Sequence, residues 1–494
     1  MKHILILFAV YIFGTEVLTS QVPAGELRIE DALILAEAQS LDAVDARNRF
    51  LAAYWQYRNY RADLLPNVAV NGNMPSLNRS INAYLNNDGT YSFVKNSLLS
   101  EDLTLSLDQN IPFTDGVLSF QSAIARLDQT GDSHSTQYMS VPYSFSLYQP
   151  LFSPRKMMWA MRIEPEKLRE AKQMYQSSIE TVYMKTVTFY FDVLLAQVNV
   201  DIARINLENA VKLHDIARGK KEIGVISDND LLQLELGKIN AEATVISAGQ
   251  AVRNKMQTLR NYLHLSDSEI LIPVIPETYF QSDISHEQVR ELAGRNNPLN
   301  HTIRRQLMEA REAIDAAKAS RGFRADLNVS IGRTGSSLDL PDSYRNLQSR
   351  EVVSLGIRIP ILDWGKGKGK IKLAESQSNV IKNQAEQSLM DFDQNIVTSV
   401  EQYNDQYRLL HLARSADSIS RLRYETAFQT FLAGTVNILD INAAQAERDN
   451  ARRKYINEMY LAWLTYYNIR QITLFDFQTG KNIKHEEVIN LKKK

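Results

Sequence analysis

The sequence predicts an exported α+β protein built from two internal repeats, each containing a helix, a pair of strands and a long helical hairpin. Three observations predict this class. They are an apolar N-terminal leader, two hairpin-tip motifs 210 residues apart, and strand patterns that precede both hairpins at that same spacing. A chain of 494 residues could hold several domains, but its duplication indicates a single cooperative body.

Composition excludes several classes of protein. Lys plus Arg (56) nearly equal Asp plus Glu (57), whereas a nucleic-acid binder needs a basic excess. The chain contains no cysteine, so disulfides, thiolate metal sites and a lipid-modified cysteine are impossible. After the leader no run of eighteen apolar residues occurs, and no transmembrane helix is predicted. The exported product is therefore either soluble or a barrel.

Residues 1–20 have the layout of a secretory signal peptide. Lys2 precedes an apolar core from Ile4 to Phe13, and the small residues Thr19 and Ser20 follow. This stretch is too short to span a membrane, so we expect it to be removed on export.

The first repeat covers residues 21–265 and opens with a helix over 29–61. Strands over 66–152 follow in a region rich in Ser, Asn, Thr and Gly, where apolar and polar residues alternate. Such alternation fits a half-buried sheet in water or a barrel wall in lipid, and the periodicity does not separate the two. This repeat has 49 residues more than the second between its strand signals, which predicts an extra hairpin at about 98–127. The hairpin could join the wall or form a loop at one end.

A helical hairpin over 166–265 completes the first repeat. Its first helix runs from Glu166, after Pro165, to Glu222 without interruption, which at about 1.5 Å per residue is roughly 85 Å. Its apolar residues recur at steps of three and four, as in the narrow seam of a coiled coil. They are Leu168, Ala171, Tyr175, Ile179 and Val182.

Two similar motifs predict the hairpin tips. In each, a Gly ends one helix and a small polar residue caps the next, three residues before an Asp. The tip residues are Gly224, Ser227 and Asp230 in the first copy and Gly434, Asn437 and Asp440 in the second.

A linker over 266–285 leads into the second repeat, residues 286–475. We expect a helix over 286–320, strands over 326–362, a helical hairpin over 370–474 and a mobile tail over 476–494. Prolines mark the predicted turns between strands and helices in both repeats: Pro66, Pro150 and Pro360.

A single copy of this chain cannot cover its own apolar helix seams or pair its own strand edges. Long helices with apolar seams need partner helices, and two strand pairs are too few to close a sheet in a membrane. Oligomerisation with closed rotational symmetry removes both deficits.

The leader, the duplicated unit, the strand start at 63–70, the strand end at 148–152 and the two tips together resemble the TolC-type outer-membrane efflux protein family, over about residues 25–475. The resemblance implies a homotrimer. Four strands per chain would form a twelve-stranded β-barrel in outer-membrane lipid, continued by a long periplasmic α-helical barrel. The implied function is the passive exit duct of a tripartite efflux or type I secretion system, gated at the periplasmic tips, with a periplasmic adaptor protein and an inner-membrane pump as partners. No enzymatic activity, cofactor or metal is implied.

Within the tips, the resemblance assigns roles residue by residue. Asp440 matches a family Asp that rings the periplasmic entrance, and the second acidic position of that ring is Ala443 here. A family Arg corresponds to Val436, and the family Tyr that would bond the Asp at position 230 corresponds to Phe431. Since Phe has no hydroxyl to donate, we expect a closed entrance held mainly by packing. Alternatively, Asp230 and Asp440 only supply negative charge to helix N-termini.

Two other functions remain as alternatives. A structural coiled-coil surface protein fits the long helices but not the duplicated strand pairs. A secreted β-rich enzyme would need converging titratable residues, and the scattered histidines provide none. The stretch 365–370 (GKGKGK) is similar in composition to a phosphate-binding loop but lacks the residue spacing of that motif. It is better interpreted as a flexible basic turn.

Overall fold

The computed structural model describes residues 25–130, 134–222, 224, 226–265, 271–277, 283–432 and 438–484. The predicted signal peptide therefore lies outside the described residues. The helices are α1 Ile29–Gln39, α2 Leu41–Asp63, α3 Lys156–Glu222, α4 Asp228–Tyr262, α5 His286–Asn296, α6 Leu299–Arg321, α7 Lys366–Leu432 and α8 Ile438–Thr473. The strands are β1 Gly25–Leu27, β2 Asn67–Leu85, β3 Tyr91–Ile111, β4 Gly116–Thr130, β5 Ser135–Leu151, β6 Leu271–Pro273, β7 Arg324–Ser337, β8 Gln348–Arg358, β9 Phe475–Asp476 and β10 Lys481–Asn482.

The chain divides into two compact units, which we call the helical unit and the sheet unit. The helical unit comprises Met1–Val44, Ile179–Ile284 and Glu401–Arg470. The sheet unit comprises Asp45–Ser178, Ser285–Val400 and Gln471–Lys494.

In the helical unit, the long helices pair as antiparallel hairpins. Lys255 of α4 bonds Asp192 of α3 at 2.7 Å, and Tyr262, further along α4, bonds the Val182 carbonyl earlier in α3 at 3.4 Å. Helices α7 and α8 pair in the same sense, through contacts of Arg452 with Asp417 and of Gln406 with Glu458. The helices α3 and α7 both have 67 residues, and their first residues are 210 positions apart.

A buried ion pair joins the two hairpins. Arg470 of α8 donates two hydrogen bonds, of 3.0 and 2.9 Å, to the carboxylate of Glu180 on α3. The Glu180 side chain is fully buried and that of Arg470 is 13% exposed. The guanidinium also lies 4.9 Å from the ring centroid of Tyr467 and 5.7 Å from that of Tyr466, so aromatic faces stabilise the cation.

In the sheet unit, six strands form one antiparallel sheet in the order β2-β3-β4-β5-β7-β8. The predicted extra hairpin corresponds to β3 and β4, which lie inside the sheet between β2 and β5. The sequence left open whether this hairpin joins the wall. The described sheet has six strands, and not the four that the family resemblance implies, because the inserted residues alternate like the others and pair with their neighbours. Within the described residues, the sheet of one chain is open and does not close into a barrel.

Helix α3 begins at Lys156, ten residues before the predicted start, and contains Pro165 in its interior. Its first N–H groups are satisfied by a distant side chain. The carboxylate of Asp115, in the turn between β3 and β4, accepts from the N–H of Lys156 at 2.6 Å and of Met157 at 3.0 Å. A cap from 41 residues away has no local sequence signal.

Helix α7 likewise begins early, at Lys366, so most of the stretch 365–370 is helical and the predicted flexible turn is wrong. Asp363 is the reason, because its carboxylate accepts from the N–H groups of Gly365 (3.0 Å) and Gly367 (2.8 Å). These two bonds hold the pKa of Asp363 below its usual value. A side chain at position 367 would collide with Arg321, which accounts for a Gly there.

Three further expectations need correction. The helix expected over 29–61 breaks at Ser40, whose buried hydroxyl accepts from the Ala43 N–H at 3.2 Å. The helix expected over 286–320 breaks at Asn297, whose side chain accepts from the Leu299 N–H at 3.0 Å. The expected mobile tail folds back as far as 484, since β9 and β10 pair, while 485–494 lie outside the described residues.

Carboxylates of α3 hold α6 in the sheet unit. Glu170 accepts two hydrogen bonds from Arg305, and Glu166 contacts His301 and Arg169. Burial alone would raise the pKa of Glu166, but hydrogen bonds from His301 and Arg169 outweigh it, so that the pKa lies below its usual value.

We predict that Arg470→Met strongly destabilises the protein, because it leaves Glu180 buried without its cation, at a cost of about 3–5 kcal/mol. The double variant Glu180→Met with Arg470→Met should recover most of the loss. Thermal unfolding in detergent, followed by circular dichroism, measures both. Arg290→Met removes an exposed pair with Asp393 and should change little. An unchanged midpoint in Arg470→Met would contradict this assignment.

Acid should also destabilise the protein through Glu166. Its depressed pKa means that the folded state binds this proton less readily than the unfolded chain. The stabilisation is thus complete above the unfolded pKa of about 4.3 and is lost as pH falls through the folded pKa. Thermal midpoints of wild type and Glu166→Gln, measured between pH 6 and 3, should converge as the pH drops. Parallel curves would show that Glu166 contributes nothing.

Candidate functional sites in the sheet and at the helix tips

One face of the six-stranded sheet is apolar and exposed. Cross-strand partners place Val68, Leu107, Phe120, Phe145 and Ile331 in one row across five strands. An exposed apolar surface of this extent marks contact with lipid or protein. Its exposed members are Val68, Val70, Leu103, Leu105, Leu107, Leu118, Phe145, Ile331, Val353, Leu355 and Ile357.

The opposite face of the sheet is polar. The row through Ser106, Gln121 and Ser144 alternates with the apolar rows, and Ser106 and Ser144 are buried. The hydroxyls of Ser144 and Ser330 lie 3.3 Å apart on neighbouring strands. A sheet with one lipid-compatible face and one hydroxyl-rich face can separate hydrocarbon from water. Within the described residues, no helix is both long and apolar enough to cross a membrane.

Two of the three prolines predicted at turns between strands and helices lie there, and the third lies within a strand. Pro66 lies between α2 and β2, and Pro360 lies between β8 and α7, as expected. Pro150, by contrast, lies inside β5, opposite Asp326 of β7. Since Pro has no N–H, it occupies the last residues of the strand, near the turn at Phe152 (φ 62°).

The first hairpin tip has the predicted stop and start. Gly224 has a φ of 73°, a backbone conformation that would be strained in a residue with a side chain. Its N–H donates a hydrogen bond to the Lys221 carbonyl at 2.8 Å. Ser227 caps α4, because its Oγ accepts from the Asp230 N–H at 3.2 Å while the Asp230 carboxylate accepts from the Ser227 N–H at 3.3 Å. In this chain Asp230 therefore serves helix capping.

The second tip is described only in part. Gly434 and Asn437 lie outside the described residues, as does the side chain of Phe431. Asp440 is the third residue of α8, in its first turn, and is exposed. At this position the negative carboxylate interacts favourably with the positive end of the helix dipole. The carboxylate is also accessible from solvent.

A small apolar core joins the two hairpins close to their tips. Leu213 of α3, Tyr424 of α7 and Ile441 of α8 are buried together, and Leu234 of α4 packs against them. All four long helices thus contribute to a single cluster.

A polar cluster adjoins this core and was not predicted. Asp449 of α8 accepts from Asn206 of α3 at 2.7 Å and from Arg448 at 2.6 Å, and Arg448 also donates to the Asn206 side-chain oxygen at 2.8 Å. The Arg448 guanidinium lies 4.1 Å from the ring centroid of Tyr424. In sequence, Arg448 and Asp449 belong to a charged run that is typical of a solvated helix face. The only sequence signal that another helix covers this run was the nearby alanines, which allow helices to approach closely.

In the described part of the chain, no group of three or more His, Asp or Glu side chains could hold a metal ion.

Disrupting the polar cluster should loosen the tips. Asp449→Ala removes the carboxylate that neutralises Arg448, so we expect trypsin to cleave faster after the exposed Lys221. Glu447 lies on the same helix as Asp449, α8, and forms an exposed ion pair with Arg423 of α7. Glu447→Ala is therefore the matched control and should be cleaved like wild type. Fragments are identified by mass spectrometry. Equal rates in all three proteins would show that the cluster does not hold the tips.

Residues 289–473 match the family model of outer membrane efflux proteins. No curated protein sequence matches. Among solved structures, the Campylobacter jejuni CmeC outer membrane channel is similar with a TM-score of 0.66 at 16% identity, over 94% of this chain and 88% of that one.

Two further structures have the same fold. A membrane protein from Pseudomonas aeruginosa gives a TM-score of 0.65 at 15% identity, over 91% of both chains. The open state of the Neisseria gonorrhoeae MtrE outer membrane channel gives 0.60 at 14% identity, over 90% of this chain and 88% of that one.

Proposed function

We propose that the chain is a member of the outer membrane efflux protein family, whose model matches residues 289–473. We propose further that it is the exit duct of a tripartite efflux or type I secretion system, gated at its periplasmic helix tips. Proteins of this family are outer-membrane channels and not enzymes, so in this proposal the chain lies in the outer membrane and extends into the periplasm.

The observation that carries the proposal is the two-faced sheet. Its apolar face would contact lipid and its hydroxyl-rich face would line water, which is the pattern of a channel wall. A purely structural coiled-coil protein has no need of such a sheet.

Exposed apolar seams in the helical unit support a homotrimer. On α4, Leu232, Leu236, Ile239 and Ile246 recur with coiled-coil spacing and are all exposed. On α7, Leu409, Leu412, Ile419 and Leu422 form a similar exposed seam. In a closed ring of copies, the seam of one hairpin would pack against its neighbour, so that each copy covers what the other exposes.

We further propose that the chain is a duplication, with repeats at 21–265 and 286–475 joined by the linker 266–285. The equal lengths of α3 and α7 support it. Partners follow from the tripartite arrangement: a periplasmic adaptor at the tips and an inner-membrane pump that supplies energy. In this scheme the duct is passive, and the pump and adaptor decide the cargo.

The gate is held closed, in this proposal, by packing of the core around Ile441 and by the cluster of Arg448, Asp449 and Asn206. Opening would separate the hairpins at these contacts. Three copies of Asp440 would bring carboxylates together at the entrance, where they attract cations.

Single-channel conductance in a planar bilayer tests the duct and its gate. Wild type should give a small conductance that divalent cations block from the tip side. Asp440→Ala should raise the blocking concentration several-fold, because the ring of negative charge is gone. Asp215→Ala, an exposed carboxylate elsewhere on α3, should block like wild type. Unchanged block in Asp440→Ala would return Asp440 to a capping role, and a folded protein without any channel would overturn the duct.

A further inference from the structure

The two outer strands of the sheet have unused edges. Within the described residues, β2 pairs only with β3, and β8 pairs only with β7. In lipid every backbone N–H and C=O needs a partner, so a membrane sheet cannot leave such edges open. Another strand must cover each of them.

The direction of the strands makes the two edges complementary. All five pairings in the sheet are antiparallel, so β8 runs opposite to β2. When two copies lie side by side, β8 of one and β2 of the next would therefore form another antiparallel pair. The alternation continues without interruption from copy to copy.

The apolar face and the helix-proximal strand ends together indicate the register of that pair. Aligning the helix-proximal ends places Arg358 opposite Asn67, and hence Leu355 opposite Val70. Both of these side chains belong to the exposed apolar face, as do Ile357 and Val68, the next pair along. A slip by one residue would turn apolar side chains of one strand against polar ones of the other.

The stagger of the sheet agrees independently with this register. The row of paired residues that starts at Asn67 passes through Asp108, Ser119, Ser146 and Ser330 to Val352, six residues short of Arg358. A shift of six residues, at about 3.4 Å each, across six strands about 4.8 Å apart corresponds to strands tilted by about 35°. Closed barrels have strands tilted by roughly 35–45°.

We propose that three copies join edge to edge, β8 on β2 with Leu355 opposite Val70, and that six strands from each close a wall of eighteen. This inference rests on the trimeric duct proposed above and goes beyond it, because the family resemblance implies twelve strands. Barrel diameter grows roughly linearly with strand number, so the channel through the wall is about half as wide again as a twelve-stranded one.

Disulfide cross-linking tests the edge pairing, and the absence of native cysteine makes every introduced thiol unique. After mild oxidation of membranes, Val70→Cys with Leu355→Cys should give covalent dimers and trimers. Val70→Cys with Ser354→Cys, which places the thiols on opposite faces, is the matched control and should stay monomeric, as should each single variant. Cross-linking in the control but not in the test pair would overturn the register.

Lipid quenching tests the strand number. Single cysteines at Leu105 on β3 and Leu118 on β4, labelled with a fluorophore, should be quenched by brominated acyl chains in vesicles. Labels at Thr104 and Ser119, on the other face of the same strands, should not be. If all four labels resist quenching, the β3–β4 hairpin is outside the wall and the eighteen-stranded wall is wrong. Should the same protein still conduct, the proposed duct survives that failure, whereas loss of conductance would reject the duct itself.

Discussion

The requirement that every backbone hydrogen-bonding group in lipid be paired constrains this protein more than any single contact. A six-stranded sheet with an exposed apolar face has two edges, and an isolated copy satisfies neither. The even strand number lets the edges match in direction, and the alternation of side chains lets them match in face. In the proposed ring, the sequence that leaves both edges open in a single copy would therefore let each copy pair with the next.

The helical unit meets a parallel constraint. Its long helices bury one side of each hairpin through the Glu180–Arg470 pair and the core around Ile441, yet seams on α4 and α7 stay exposed. Coiled-coil seams gain stability only from a facing helix. One closed ring of copies can cover sheet edges and helix seams at once. Since such a ring encloses a channel, the arrangement that would cover the edges and seams would also provide the proposed transport function.

Much of this architecture could be predicted from sequence, because it depends on local periodicity. Gly224 and Ser227 ended and started helices where their residue types required, and the alternation around Leu105 indicated strands. The errors involve partners far away in sequence. Asp115, in the turn between β3 and β4, caps α3 so that the helix begins ten residues earlier than predicted. Asp363 caps α7 in the same way, so that a glycine-rich stretch becomes helical. Arg470 gave no sign that its partner was Glu180, 290 residues earlier.

The tips illustrate the same division. Capping by Asp230 follows from its spacing to Ser227, whereas the cluster of Arg448, Asp449 and Asn206 depends on which helix faces which. Charged residues on a helix look solvated until a neighbouring helix covers them. Sequence periodicity alone cannot supply that neighbour.

The most direct measurement of the central claim, that this chain functions only as a closed ring, is native mass spectrometry of the assembly released from lipid nanodiscs. We expect a single species containing three chains, each close to the 56.3 kDa of the full sequence less its signal peptide. A stable, lipid-inserted monomer or dimer as the dominant species would contradict the account, because its sheet edges would then lie unpaired in the membrane.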